Sequence, residues 1–350
     1  MTAAANPFPS RRRVLEGLVA LSAAAPNPEK AFAQMPENPR RIDVHHHYVS
    51  PAWMAALEKY YTVYKFSGVD VFRKYTAAAA VEAMDKGGVA TAMLSTTTPG
   101  VWWGDNALAR TLARDMNEYG VKLMGEHKGR FRLFAVLPLP DVEGSLKEIE
   151  YALDTLKADG ISVLSSYGAM WLGDPSFTPV WEELNRRKAV VFSHATVPDC
   201  CKGLQPGIDA TTIEFNTDTS RTIISLILSG TVQRFPDIRF IFSHAGGTIP
   251  SLAGRFLQAQ AAADKLKSEA EPNSRLWHLR RFYYDTAGSA NPVQMTSLKM
   301  IVPVSQIMFG TDFPWGDPAR IALGLAGCGF TPEELRAIDR ENAVRLLPHI

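Results

Sequence analysis

His45 and His47 share one face of a short apolar run, Ile42–His47, because side chains alternate along a strand. Two imidazoles spaced this way at a strand end are natural ligands for a metal ion. The intervening His46 points the other way by the same alternation. Three more runs end in groups of this kind. They are Ala189–His194, Ile238–His244 and Gln306–Asp312. Of the eight histidines in the chain, four therefore stand at strand ends, joined there by the carboxylate of Asp312. That set of donors suits a divalent cation that binds and polarises an oxygen ligand.

Strands must deliver these groups to one rim. Eight short apolar runs recur from residue 41: Ile42–His47, Val89–Ser95, Phe131–Leu137, Gly160–Ser165, Ala189–His194, Ile238–His244, Phe282–Asp285 and Gln306–Asp312. Several are almost continuously apolar, as strands buried on both faces should be. Helical patterns lie between them, over Asn106–Leu123, over Ser145–Leu156 with Asp141 as an upstream cap, and over Thr331–Leu347. Strand and helix alternating in this way predict an α/β fold, a (β/α)8 TIM barrel filling residues 41–350 as one domain. A doubly wound open sheet is the competing fold. Three long inserts follow strands, Tyr48–Ala80, Pro198–Thr219 and Ala259–Trp277. Such loops build the catalytic face of a barrel, so they are expected to form walls or lids.

The rest of the composition mainly excludes. The 350 residues carry 37 Lys plus Arg against 36 Asp plus Glu, a net charge of +1. This balance leaves no electrostatic footprint for nucleic acid. Three cysteines cannot build a disulfide framework. Beyond the N-terminal segment no apolar run approaches the ~18 residues of a membrane span, so no anchor is expected in the mature chain. Residues 1–40 read as an export segment. Ser10-Arg11-Arg12-Arg13 precedes the weakly apolar run Gly17–Ala25, and Ala31-Phe32-Ala33 offers a cleavage site. This resembles a twin-arginine signal, which would place the protein in the periplasm or outside the cell. Glu16 and the stretch Pro26–Lys30 fit that signal poorly, and a cytoplasmic protein with a plain tail is the alternative.

The phrases Ile42-Asp43-Val44-His45-His46-His47, Phe192-Ser193-His194, Phe242-Ser243-His244-Ala245-Gly246-Gly247 and Phe309-Gly310-Thr311-Asp312-Phe313-Pro314 together resemble the amidohydrolase superfamily, in its branch of metal-dependent decarboxylases. The resemblance covers residues 41–348. Leu137-Pro138-Leu139-Pro140-Asp141 and Trp171-Leu172-Gly173-Asp174-Pro175 are similar to the subgroup acting on 6-methylsalicylate.

The resemblance implies that His45, His47, His194 and Asp312 hold one divalent metal, with His244 as acid or base beside it and Asp312 sharing the catalytic work. Binuclear members carry a bridging lysine at the end of strand four. Leu164-Ser165-Ser166-Tyr167 has none, so one metal is expected, zinc first and manganese as competitor. The resemblance also implies that Arg255 clamps a substrate carboxylate across a homodimer interface. The stretch Ala77–Met84 lacks the second arginine found in relatives that act on dicarboxylates, which points to a monocarboxylic acid as the small-molecule substrate.

Trp53, Tyr60, Tyr61, Tyr64, Trp102, Trp103 and Trp171 are candidate pocket aromatics. Asp43 and Asp285 could orient neighbouring groups, and Cys200 and Cys201 are expected as plain thiols. The expected activity is non-oxidative decarboxylation of a hydroxylated aromatic or related unsaturated acid. Metal-dependent hydrolysis of a lactone, amide or ester is the alternative, since the same ligands serve both.

Overall fold

The computed structural model describes residues 39–64, 68–202, 204 and 207–350. The export segment expected over residues 1–40 therefore lies outside the described residues, Pro39 and Arg40 apart, as do the side chains of Tyr61 and Tyr64.

Eight parallel strands form one sheet in sequence order. They are β1 Arg41–His47, β2 Val89–Ser95, β3 Phe131–Val136, β4 Gly160–Leu164, β5 Val190–His194, β6 Arg239–Phe242, β7 Tyr283–Asp285 and β8 Ile307–Met308. The sheet closes on itself. The Val44 N–H donates to Phe309 O at 3.0 Å, the Asp312 N–H to His45 O at 2.8 Å and the His47 N–H to Phe313 O at 2.9 Å. An open doubly wound sheet would leave these edge groups unpaired, so the fold is the (β/α)8 barrel.

Two strands end earlier than their apolar runs suggest. β8 stops at Met308 because the Phe309 N–H turns to Ile338 O, and Asp312 adopts a left-handed φ of 64°. β6 stops at Phe242, before His244 and Ala245 at φ 55° and 56°. In both places the chain leaves the ladder just where a candidate site residue sits, and left-handed backbone at non-glycine residues marks stored strain.

The helices follow local signals. Asp105 caps Asn106–Glu126 by accepting from the Leu108 N–H, and Asp141 caps Val142–Glu150 through the Gly144 N–H. This second helix starts before the expected Ser145 because Asp141 is itself the cap. The C-terminal helical stretch opens at Pro332 with a capping box between Thr331 and Glu334. Within the barrel, Ile42, Val44, Met93, Phe134, Phe192, Ile241 and Met308 form one apolar cluster, closed by Ala343 and Leu347 from the C-terminal helix. Phe192 stacks on Phe134 and meets the His45 ring at 5.1 Å. The metal-binding rim thus rests on a packed aromatic floor. No helix among the described residues is long and apolar enough to cross a membrane.

Candidate active site

The ligand atoms of His45, His47, His194 and Asp312 all lie within 4.8 Å of one another at the C-terminal mouth of the barrel. His45 and His47 come from β1, His194 ends β5, and Asp312 follows β8. The expected ligand set is therefore brought together in full.

Hydrogen bonds on the far sides of the rings decide which nitrogen each histidine offers. His45 Nδ1 lies 2.8 Å from Asp285 Oδ2. A carboxylate only accepts, so Nδ1 carries a proton and Nε2 is the nitrogen left to offer a lone pair to a metal. His47 Nδ1 lies 3.2 Å from the Ser95 carbonyl, with the same result. The two Nε2 atoms then face each other at 3.0 Å, and Asp312 Oδ1 stands 3.2 Å and 3.0 Å from them. Both ring nitrogens of the buried His194 have no hydrogen-bond partner. One added proton can relieve only one of these contacts, whereas a divalent cation satisfies all four donors together. The residues fit a metal.

The electrostatics point the same way. Burial disfavours charge on His45, yet Asp285 and Asp312 overcome it and lift the ring to about 10. Burial holds His47 below the ordinary imidazole value and His194 well below it. For Asp312 burial pulls upward, but the charge on His45 and hydrogen bonds from the surrounding histidines hold the carboxyl well below its usual range. The cluster therefore favours one concentrated positive charge at its centre.

His244 stands beside the four. Its Nε2 lies 3.4 Å from Asp312 Oδ2, and its backbone N–H donates to Asp285 Oδ1 at 2.9 Å. Its Nδ1 has no partner. Asp285 thus holds both the His45 ring and the His244 backbone. Asp43 does not touch a ligand ring. It accepts from the His45 and Thr311 N–H groups at 3.0 Å each, from Thr311 Oγ1 at 2.6 Å and from His46 Nδ1 at 3.0 Å. Register breaks between Asp43 and His46, so strict alternation fails there and the Asp43 carboxylate braces the backbone instead. His46 stacks on Phe313 at 4.6 Å, away from the cluster.

At the end of β4, Ser165 and Ser166 donate to the buried Asp218 at 2.5 and 2.8 Å, and Trp171 Nε1 does so at 2.7 Å. These groups are occupied with one another and bring no ligand to the cluster. Burial, against these three hydrogen bonds, keeps the Asp218 carboxyl above its usual range.

A cavity of about 440 Å3 opens over His194, His244 and Asp312, with Phe215 and Trp315 among its walls. Gly68 and Val71 from the first insert and Asp209, Thr211, Phe215 and Asn216 from the second line it, whereas the third insert does not reach it. A larger cavity of about 800 Å3 lies alongside, shares Thr98, Asp209, Thr211 and Phe215, and carries Tyr60, Trp102 and Trp103. It is the wider vestibule, but the chemistry belongs to the smaller cavity. Tyr60 and Trp103 stack there at 4.7 Å. Trp53 is a buried packing residue against Phe72.

Arg255 is exposed in the last turn of the helix Ile249–Phe256 and lines neither of these two cavities. Cys200 and Cys201 are free thiols with Sγ atoms 2.9 Å apart. Sequence reasoning missed Phe215, Asn216, Ser289 and Trp315. Only Trp315 carried a signal, since it directly follows the Phe309–Pro314 phrase that holds Asp312.

The amidohydrolase family model matches residues 42–349. A decarboxylase of Aspergillus niger is 37% identical over 330 residues, covering 88% of this chain and 87% of the relative. The 6-methylsalicylic acid decarboxylase of Penicillium expansum is 33% identical over 325 residues, covering 89% and 97%. A dihydroxybenzoic acid decarboxylase from Polaromonas, solved with bound manganese and 2-nitroresorcinol, superposes with a TM-score of 0.73 at 20% identity, covering 88% of this chain and 96% of that one. The likeness in sequence runs through the strands that carry the ligand cluster, and the likeness in structure through the whole barrel: the chain belongs to the amidohydrolase family, in its decarboxylase branch.

Proposed function

We propose that this protein is a metal-dependent carboxy-lyase that removes carbon dioxide from a small hydroxylated aromatic acid with a single carboxylate, of the 6-methylsalicylic acid type. One observation carries the reading. The four-ligand cluster opens into a cavity of about 440 Å3 walled by Phe215 and Trp315, and no Lys or Arg lines it among the described residues. This volume falls within the ~300–1,000 Å3 of small-ligand pockets. A flat ring fits between aromatic walls, and a second carboxylate would find no cation. The relatives at 37% and 33% identity support the same reading.

His45, His47, His194 and Asp312 would hold the metal, which when bound draws electron density from the substrate's carboxylate and the oxygen beside it. Loss of carbon dioxide leaves an electron pair on the ring carbon, and that carbon must gain a proton. Asp312 is held as a carboxylate, so it accepts rather than supplies. His244 faces the cavity with Nδ1 unpartnered and Nε2 beside Asp312. It delivers the proton, and Asp312 holds the imidazole in place. Phe215 and Trp315 exclude water from the reacting carbon.

Zinc is the proposed metal, with manganese the competitor that the Polaromonas relative holds. Arg255 is proposed to act on the carboxylate in a neighbouring copy of a homodimer, which fits its exposure on its own chain. Export by the N-terminal segment is proposed from its sequence alone.

The test is carbon dioxide release by metal-loaded protein from 6-methylsalicylic acid and a hydroxybenzoate panel, with His194→Ala as the blank. Release above the blank supports the lyase. Bound metal without release from any acid transfers the case to hydrolysis, to be followed on lactones.

A further inference from the structure

The turn after β7 is held by nearly every polar group it owns except one. Asp285 Oδ1 accepts from the Ala287 N–H at 3.0 Å. Thr286 Oγ1 exchanges hydrogen bonds with the backbone of Gly310 at 3.0 and 3.1 Å. The Ser289 N–H donates to Thr286 O at 3.0 Å, and Ser289 O accepts from the Asn291 N–H at 2.7 Å. The Ser289 hydroxyl is left over. The residue is 1% exposed, its Oγ has no partner, and it lines the metal cavity beside Gly288, His244 and Asp312. His194 Nε2 is covered and unpartnered in the same way, and it stands 3.9 Å from Asp312 Oδ1 in the ligand cluster.

A buried hydroxyl without a partner is costly and calls for an explanation. The fold does not need it, since the turn is already fixed by its backbone. The cavity around it supplies neutral polar groups, Thr97 and Asn216 among them, and two carboxylates, Asp209 and Asp312. A second anion would be repelled there. A hydroxyl suits it, because it can both donate and accept, as the serine hydroxyl does.

We propose that Ser289 is a specificity residue whose Oγ hydrogen-bonds a ring hydroxyl of the aromatic acid. This rests on the lyase reading for the substrate class but not for the reaction. Binding alone tests it, with each acid scored before turnover by stopped-flow tryptophan fluorescence. Metal-loaded wild type and Ser289→Ala are titrated with benzoate and with 2-, 3- and 4-hydroxybenzoate. Removing the hydroxyl should weaken binding of at least one hydroxybenzoate about tenfold and leave benzoate unchanged. The melting temperature should stay the same or rise, because Ala removes an unsatisfied group from the free protein. An equal loss for benzoate, no loss for any acid, or a lowered melting temperature overturns the proposal, the last by making Ser289 structural. Binding with the expected selectivity but without carbon dioxide release would sink the decarboxylase reading and leave Ser289 standing. No binding by any of the four acids overturns both.

Discussion

Asp285 Oδ2 lies 2.8 Å from His45 Nδ1, and through this contact the end of β7 sets which nitrogen β1 offers to the metal. The same carboxylate takes the His244 N–H through its other oxygen. One side chain therefore orients a ligand and places His244, the proposed proton donor. Asp285→Asn should lower metal affinity about 10–100-fold, read by competition with a chelating dye, while circular dichroism shows the barrel intact. Unchanged affinity would remove Asp285 from the site.

His244→Ala should separate metal binding from turnover. Four ligands remain in this variant, so metal content by elemental analysis should match wild type. Turnover should fall at least about 100-fold, the usual contribution of a positioned general acid. Retained turnover would assign the proton to another group.

Gly310 is a tight backbone approach behind the ligand His45 and its partner Asp285. A Cβ there would stand 2.7 Å from Asp285 Cβ and 3.0 Å from His45 Cβ. Gly310→Ala should cost about 1–3 kcal/mol of stability and weaken metal binding, because the pressure falls on the pair that sets the tautomer. Thermal melts with and without metal measure both effects.

Acid should find a weak point in Asp141. Its hydrogen bonds and ion pair with Arg110, and the Gly144 N–H it caps, outweigh burial and hold the carboxyl below its usual value. A depressed folded value means full stabilisation above the unfolded value near ~3.9, lost as pH falls through the folded one. Asp141→Asn should therefore melt lower than wild type at pH 6, by about 1 kcal/mol or less for a half-exposed arginine partner and a retained cap. Its melting temperature should also fall less steeply below pH 4. Parallel slopes in that range would refute the assignment.

Arg255→Met should raise KM with little change in kcat if the arginine serves a neighbouring copy. Mixing it with His194→Ala should then restore activity in hybrid dimers, because one of their two sites has both residues intact. Absence of recovery in dimers shown to have exchanged would place Arg255 outside the site.

The eight strands and the four ligands were legible because burial on both faces and ligand position are properties of single runs. Strand ends were less so. The left-handed backbone at His244 and Asp312 ends these runs, and no residue type announces it. Asp43 does hold its neighbours, but through the His45 and Thr311 N–H groups and Thr311 Oγ1, partners that strand alternation alone does not specify. The cavity walls were the least legible. Phe215 and Ser289 reach the metal only through the packing of an insert and a turn, contacts far apart in sequence.

His244 and Asp312 both hold backbone angles that most side chains avoid, at a cost of about 1–3 kcal/mol each. Glycine would relax the chain at either place, but it would take a ligand from the metal site at Asp312 and the proposed proton donor at His244. Any search that rewards thermal robustness alone will therefore be drawn toward inactive proteins at these two positions. A stabilised catalyst from this scaffold has to come from elsewhere, with both residues kept fixed from the outset.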